Sequence, residues 1–334
     1  MTEDVDAVYT WVDGSDPVFQ AMRRQYAGPA AADQANRYRS NGEMRFSLRS
    51  LLRYAPWVRR VHILTNGQVP RWLEVSHPRI HLVTHAEVFP EPQCLPTFNS
   101  HSIEMCLHRI PGLSRRFLYF NDDFFLGRDV YPADFFTPDG GQVIFLDDFP
   151  LMGDSGQGSA RERACAYTQD LLTKRWGSPA SARLLPSHAP QAYDRDLLFR
   201  LESQFQNEFR ETRGHRFRSG KDLALNVLYG YTLLESAVER GRHRIRVLPD
   251  RSREYRFFII EHRYLRTLHH YVKILWQRPC FLCINDDLVD VSQYHPLVLS
   301  LRTFLLLYYW RRAPWERNLW RTKHQTFSPH PPSQ

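Results

Sequence analysis

Residues 6–17 read Asp6-Ala-Val-Tyr-Thr-Trp-Val-Asp-Gly-Ser-Asp-Pro17. An unbroken apolar run halted by Asp13-Gly14 and Asp16-Pro17 is a short strand of the buried type, ending in a turn. From there to position 150 strand and helix signals alternate. Residues 41–54 carry Met44, Leu48, Leu51 and Leu52 at helical spacing, and the pattern stops before Pro56. Residues 58–65 (VRRVHILT), closed by Asn66-Gly67, read as a second strand, and 79–85 (RIHLVTH) as a third. Asn99 or Ser100 can cap a helix running to Ile110, with Ile103, Cys106, Leu107 and Ile110 inward. Residues 117–120 (FLYF) and 143–146 (VIFL) supply a fourth and a fifth strand. This alternation predicts an α/β fold: a mostly parallel, Rossmann-like or GT-A-like sheet flanked by helices.

Beyond residue 150 the texture changes. A stretch rich in Gly and Ser (Gly153, Gly156, Gly158, Ser159) leads into helical patterns at 162–176, 194–210 and 221–240. Strand-like pieces return at 245–248, 255–260 and 281–284. The expected organisation is therefore an α/β core from 1–150 and 245–295, a helical insertion at 151–244, and a C-terminal tail at 296–334.

The chain has 334 residues, with 44 Lys and Arg against 36 Asp and Glu, a formal charge of +8. With 43% apolar and 24% charged residues it has the composition of a folded globular protein, not of a disordered or fibrous one. Five cysteines form no regular framework, and the CxxC at Cys280 and Cys283 lacks the second pair that a zinc site needs. Reduced thiols in a cytoplasm are the expectation. The acidic start, MTEDVDAVYTW, lacks the basic and apolar stretches of a secretory signal. Much of the excess charge sits late: from Ser300 onward six basic residues face Glu316 alone. They follow or interrupt an apolar, aromatic run at 297–310, which is shorter than the ~20 residues of a bilayer span. Such a tail suits peripheral contact with an anionic membrane surface, or packing on the domain with a solvated basic end. No nucleic-acid-binding pattern accompanies the basic charge.

One tripeptide occurs twice, as Asn121-Asp122-Asp123 and Asn285-Asp286-Asp287, each time directly after an apolar run. In open parallel sheets ligands bind outside the carboxyl ends of the strands. Paired carboxylates there repel one another unless a cation neutralises them, and Mg²⁺ favours carboxylate oxygens beside substrate phosphates. A solvated turn is the plainer alternative for either copy alone. Trp11, Asp13 and Gly14, closing the first strand, are suited to a nucleotide base and ribose.

Three further stretches carry a resemblance. YTWVDGSDP (9–17), the long NGEMRFSLRSLLRYAPWVRRVHILTNGQVPRWL (41–73) with LPTFNSHSIEMCLHRIPGLSRRFLYFNDDFFLG (95–127), and His188 with Pro190 followed by RSGKD (218–222) resemble conserved regions of the Stealth proteins. FLCINDD (281–287) resembles a fourth. That family includes bacterial capsule polysaccharide phosphotransferases and the catalytic core of the animal GlcNAc-1-phosphotransferase. The resemblance implies transfer of a sugar-1-phosphate from a nucleotide sugar, such as a UDP-sugar, to a hydroxyl of a saccharide acceptor, with Mg²⁺ or Mn²⁺ and release of UMP. The compact chain fits the bacterial type, cytoplasmic or at the inner face of the membrane; a homo-oligomer is left open.

Within that reading Asp122, Asp123, Asp286 and Asp287 hold the metal. Arg218 clamps phosphate through its bidentate guanidinium. His188, selected by the resemblance from 15 histidines, is the general base. Tyr9, Trp11, Asp13, Gly14, Arg45, Asn66, Asn99, Ser100 and Asn121 bind substrate. Two rivals stand beside it. A GT-A-type glycosyltransferase would attack the sugar carbon and release UDP, and a non-enzymatic membrane-surface module would need neither acidic pair.

Overall fold

The computed structural model describes residues 3–27, 40–153, 156–179, 181–236, 239, 241–249, 252–288, 291–292 and 294–317. The first half of the chain contains β1 (Val5–Thr10), α1 (Pro17–Ala27), α2 (Glu43–Tyr54), β2 (Val61–Thr65), β3 (Ile80–Thr84), α3 (His85–Val88), α4 (Ser100–Glu104), β4 (Arg116–Asn121), β5 (Phe124–Leu126) and β6 (Val143–Pro150). The second half continues with α5 (Ala160–Trp176), β7 (Leu184–Pro186), β8 (Gln191–Asp194), α6 (Arg195–Gln204), α7 (Gln206–Gly214), α8 (Leu225–Glu235) and β9 (Arg244–Val247). It ends with β10 (Tyr255–Ile260), α9 (Tyr264–Gln277), β11 (Phe281–Asp286) and α10 (Pro296–Tyr308).

The central sheet has the order β3-β2-β1-β4-β8, with the first four strands parallel and β8 antiparallel at the edge. Alternate residues of β1 explain its unbroken apolar run. Val8 joins Leu64, Val83, Phe117 and Tyr119 in a core shared with α5–α8. Ala7 and Tyr9 join Ile63, Leu118 and Phe120 against Met44, Leu48 and Leu51 of α2. Both faces are covered, as parallel sheets require. The strand order reverses between β1 and β4, where Thr10 pairs with Asn121 at the carboxyl ends. A crevice opens at such a reversal.

Two smaller sheets flank the central one. In the order β10-β11-β5, β10 and β11 run parallel while β5 opposes β11; in the order β7-β6-β9, β9 is parallel to β6 and β7 opposes it. Residues 143–146 therefore form a strand, but in this third sheet and not in the central one. Residues 151–244 are not helical throughout, since they also supply β7 and the edge strand β8. The helix expected from Asn99 to Ile110 ends at Glu104 and resumes as a short 3-10 turn at Leu107–Arg109. The helix expected over 194–210 is two, broken at the buried Phe205, and the one expected over 221–240 is confined to Leu225–Glu235. In each case the apolar spacing marked which residues face inward and missed where the backbone turns. All five cysteines are unpaired.

Among the described residues no helix is long and apolar enough to cross a membrane. The part of the tail at 318–334, with Arg321 and Lys323, lies outside the described residues. The part before it packs firmly: Leu297, Val298, Leu301, Phe304 and Leu305 of α10 share a core with Phe258, Tyr271 and Ile284.

Candidate active site

β4 delivers its apolar side chains to the core and stops at Asn121; the turn Asp122-Asp123 then carries the chain out of the central sheet into β5. Two serines of α2 fix that exit. Ser47 Oγ donates to the Phe124 carbonyl, and Ser50 Oγ accepts from the Leu126 N–H at 3.0 Å. β11 runs antiparallel beside β5, with Cys283 opposite Phe124, so its end at Asp286 comes to the same place. The fold thus joins the two Asn-Asp-Asp copies, one from each half of the chain, at one cavity of about 460 Å³.

One wall of that cavity is acidic. Glu43 begins α2 after Gly42, whose φ of 88° is a left-handed conformation that glycine adopts without strain. The Glu43 carboxylate accepts from the Asn41 backbone N–H at 2.6 Å and from Asn41 Nδ2 at 2.7 Å; the same Nδ2 donates to Asp286 Oδ2 at 2.9 Å. Burial, and then the charge of Asp122, push the Glu43 carboxyl up to about 7. Asp122 is also raised well above the carboxylate range, by burial and then by Asp123. Asp123 is raised by burial and by Glu43, although the Cys283 thiol donates to its Oδ2 at 3.4 Å. Among the described residues this wall carries no cationic side chain. Its carboxylates offer oxygen donors, the kind a hard cation takes. Among the described residues no three His, Cys, Asp or Glu side chains converge closely enough to hold an ion by themselves.

A second part of the lining is cationic and comes from the inserted segment and α4. His188 stacks on Phe257 with ring centroids 4.6 Å apart, and its Nε2 lies 2.7 Å from Arg161 Nη1. A guanidinium only donates, so Nε2 accepts and the ring proton sits on Nδ1, which is buried without a partner. Burial and then the Arg161 charge push His188 down to about 3. Arg218 donates from Nη2 to Ser100 Oγ at 2.7 Å. Glu104, one turn after Ser100, belongs to the same part; burial raises its carboxyl while His101, Arg218 and Arg161 pull it back. His101 also faces the cavity and meets Asp222 Oδ2 through Nδ1 at 3.2 Å.

The expected site residues divide into three groups. Asn121, Asp122, Asp123, Asp286, Asp287, Ser100, His188 and Arg218 line the cavity together. Trp11, Asp13, Gly14 and Asn66 lie on loops after β1 and β2, outside the cavity lining. There Gln68 ties the two loops, donating to the Asp13 carbonyl at 3.1 Å and taking the Asp13 N–H at 2.7 Å. The third group does structural work. Tyr9 is buried, stacked on Phe120 and bonded to Ser47 Oγ at 3.0 Å. Asn99 caps α4 by accepting from the His101 N–H at 3.0 Å and donates to Asp222 at 2.9 Å. Arg45 is engaged by the fold: Glu316 holds its Nε at 2.6 Å, beside Trp72. Arg49 is bound by the same carboxylate at 2.6 and 2.8 Å.

Of the acidic and basic side chains that line the cavity, four escaped the sequence reading: Glu43, His101, Glu104 and Arg161. Glu104 left a signal, because it stands one position from the inward-facing Ile103 on a helix whose first turn carries Ser100. Arg161 left none, because nothing in its local sequence distinguishes it from the other arginines.

The chain matches Stealth protein conserved region 1 over residues 3–28, region 2 over 37–144 and region 3 over 187–233, together just over half its length. It is 40% identical over 319 residues to an exopolysaccharide phosphotransferase of Streptomyces coelicolor, covering 94% of this chain and 52% of that protein. It is 34% identical to the exopolysaccharide phosphotransferase CpsY of Mycobacterium tuberculosis, covering 94% of this chain and 58% of CpsY. The chain thus spans little more than half the length of these relatives. Among solved structures it is similar to the galactosyltransferase LgtC in complex with donor and acceptor sugar analogues, at a TM-score of 0.44, 10% identity, and 95% and 99% coverage of the two chains. It is also similar to the bifunctional glycosyltransferase WbbM, at a TM-score of 0.47, 12% identity, and 96% and 52% coverage. The cavity takes Glu43, Ser100, Asp122 and Asp123 from region 2 and His188 and Arg218 from region 3, and with all three regions present in one chain this protein belongs to the Stealth family.

Proposed function

We propose that the cavity transfers a sugar-1-phosphate from a nucleotide sugar, a UDP-sugar, to a hydroxyl of a saccharide acceptor in exopolysaccharide synthesis. One observation carries the reading: among the described residues, a single cavity gathers Glu43 and the carboxylates of both Asn-Asp-Asp copies together with Arg161, Arg218, His101 and His188. Phosphoryl transfer asks for charge neutralisation and positioning, and this set of side chains offers both. The oxygen donors fit Mg²⁺ or Mn²⁺, which commonly binds through one or two carboxylates, water and substrate phosphates. We assign its protein ligands to one or two carboxylates drawn from Asp122, Asp123, Asp286 and Asp287, with water and the diphosphate supplying the rest, and when bound it would neutralise the diphosphate.

The acceptor oxygen bonds to the sugar-bearing phosphorus and the phosphoanhydride P–O bond breaks. The sugar C1–O bond survives, and the nucleoside monophosphate leaves. Arg218 and Arg161 bind the phosphate oxygens. As Arg161 turns to phosphate it leaves His188 Nε2, which then takes the acceptor proton as base. Contact with an anionic membrane at the cytoplasmic face completes the reading, since polymer is extended where it is exported.

Incubation of the protein and Mg²⁺ with UDP-sugars and saccharide acceptors tests this. Release of UMP together with a phosphodiester product is expected. Release of UDP would replace the reading with that of a glycosyltransferase.

A further inference from the structure

The helix α9 is amphipathic twice over. Thr267, Tyr271 and Ile274 are buried, with Tyr271 stacked on Phe304 of α10 at 4.3 Å and edge-on to Phe258. The opposite side is where a soluble helix carries charge. Here it carries Leu265 at 85% exposure, Leu268 at 58%, Val272 at 56%, Leu275 at 54% and Trp276 at 77%. At 3.6 residues per turn these five fall in a stripe roughly 100° wide. The sector beside the stripe holds His269, Lys273 and Arg266, and α9 contains no acidic residue. Arg263 and Arg266 reach Glu261, just before the helix, only at 3.9 and 3.4 Å. The adjoining α10 also lacks acids and exposes Leu307 at 70%; just beyond its end come Trp310, at 61%, and then Arg311 and Arg312.

We propose that the outer face of α9 docks on the surface of an anionic lipid bilayer, lying in the interface with its leucines and Val272 toward the acyl chains, and with Trp276 and its cationic edge at the headgroups. An apolar stripe beside a purely basic edge has the charge pattern of an interfacial helix. Trp at the end of such a helix favours the headgroup level. A second copy of the chain fits less well, because pairing on this face sets one cationic edge near another. The inference rests on the membrane contact in the reading above and moves it from the tail to α9. It also brings the bilayer near the site: α9 begins shortly after Ile260, whose carbonyl accepts from the Asp287 N–H at 3.3 Å.

The experiment is flotation of the full chain with vesicles of phosphatidylcholine, alone or mixed with phosphatidylglycerol. Wild-type protein is expected to float with the anionic vesicles, less so at high salt. Leu268→Glu/Val272→Glu should lower the partition coefficient at least ~10-fold, and Arg266→Glu/Lys273→Glu, at residues outside the core, should do so on anionic vesicles. An unchanged melting temperature shows that both variants fold. Removal of 318–334 should leave flotation intact. The inference is overturned by equal flotation of the variants, by no flotation of the wild type, or by light scattering that finds a dimer which the α9 variants dissolve. If flotation disappears only on removal of 318–334, the tail is the membrane contact: this inference fails and the broader one stands. UMP release by the detergent-free protein is scored separately, so the transferase reading is judged on its own.

Discussion

Carboxylates stand at both ends of the central sheet, buried at one and half-buried at the other, and they are treated in opposite ways. At the amino end of β1, Asp6 is fully buried and fully partnered. Arg59 donates to it at 2.8 and 2.7 Å, the Ser114 N–H at 2.8 Å, and His62 Nε2 lies 3.1 Å away. Burial works against its ionisation, yet these bonds outweigh it and hold the carboxyl well below its ordinary value. At the carboxyl end of β4, Asp122 and Asp123 are enclosed with Glu43 and their carboxyls move up. A neutralised acid commits its interactions to the fold. An acid group left without counter-charge costs stability unless a ligand completes it.

The comparison can be broken from either end. The largest effect is expected from Asp6→Ala, which strands His62 and Arg59 and should cost about 3 kcal/mol, read as a lowered denaturant midpoint. Specific activity per folded molecule should stay unchanged. Asp123→Asn should do the reverse, lowering nucleotide release ~10²-fold or more while leaving the midpoint where it was or higher. If Asp123→Asn unfolds the protein instead, the two ends do not differ in kind.

Asp286→Asn sharpens the contrast within the cavity. Asp286 already accepts from Asn41 Nδ2 and from the Leu288 N–H at 2.9 Å, so its loss should cost activity only about tenfold. A pH series separates the ends again. Because the folded-state value of Asp6 is depressed, its stabilisation is fully present above the unfolded value, about 3.9, and is lost as the pH falls below it. Wild-type melting temperature should therefore fall below roughly pH 4, and Asp6→Asn should lose part of that acid sensitivity. The smallest effect is expected from Arg45→Ala, whose guanidinium is partly exposed: about 1 kcal/mol of stability or less and no change in activity.

The alternation of strands and helices up to position 150 was legible because burial on both faces leaves an unmistakable apolar run, as in 117–120. Strand membership was not. Residues 143–146 and 117–120 read alike, and only the course of the chain between them assigns one to the third sheet and the other to the central one. The repeated Asn-Asp-Asp was legible as a pair, since each copy follows a strand. What the strand ends meet was hidden: Asn41 and Glu43 are local to α2, and nothing in their spacing points to Asp286, far along the chain. The surroundings of Arg45 were hidden for the same reason. Its counterion, Glu316, is visible in the sequence as the lone acid of a basic segment but carries no address.

That lone acid sets a limit on the order in which this protein can be completed. Glu316 neutralises both Arg45 and Arg49, Leu73 bridges to it, and Trp315 beside it is wholly buried. During synthesis, α2 leaves the ribosome with two guanidiniums whose shared counterion follows Arg49 by 267 residues. Until that residue emerges, the helix that bears Glu43 and buttresses β5 lacks its clasp. A nascent chain of this protein can collapse early, but the cavity wall is not secured before residue 316 arrives.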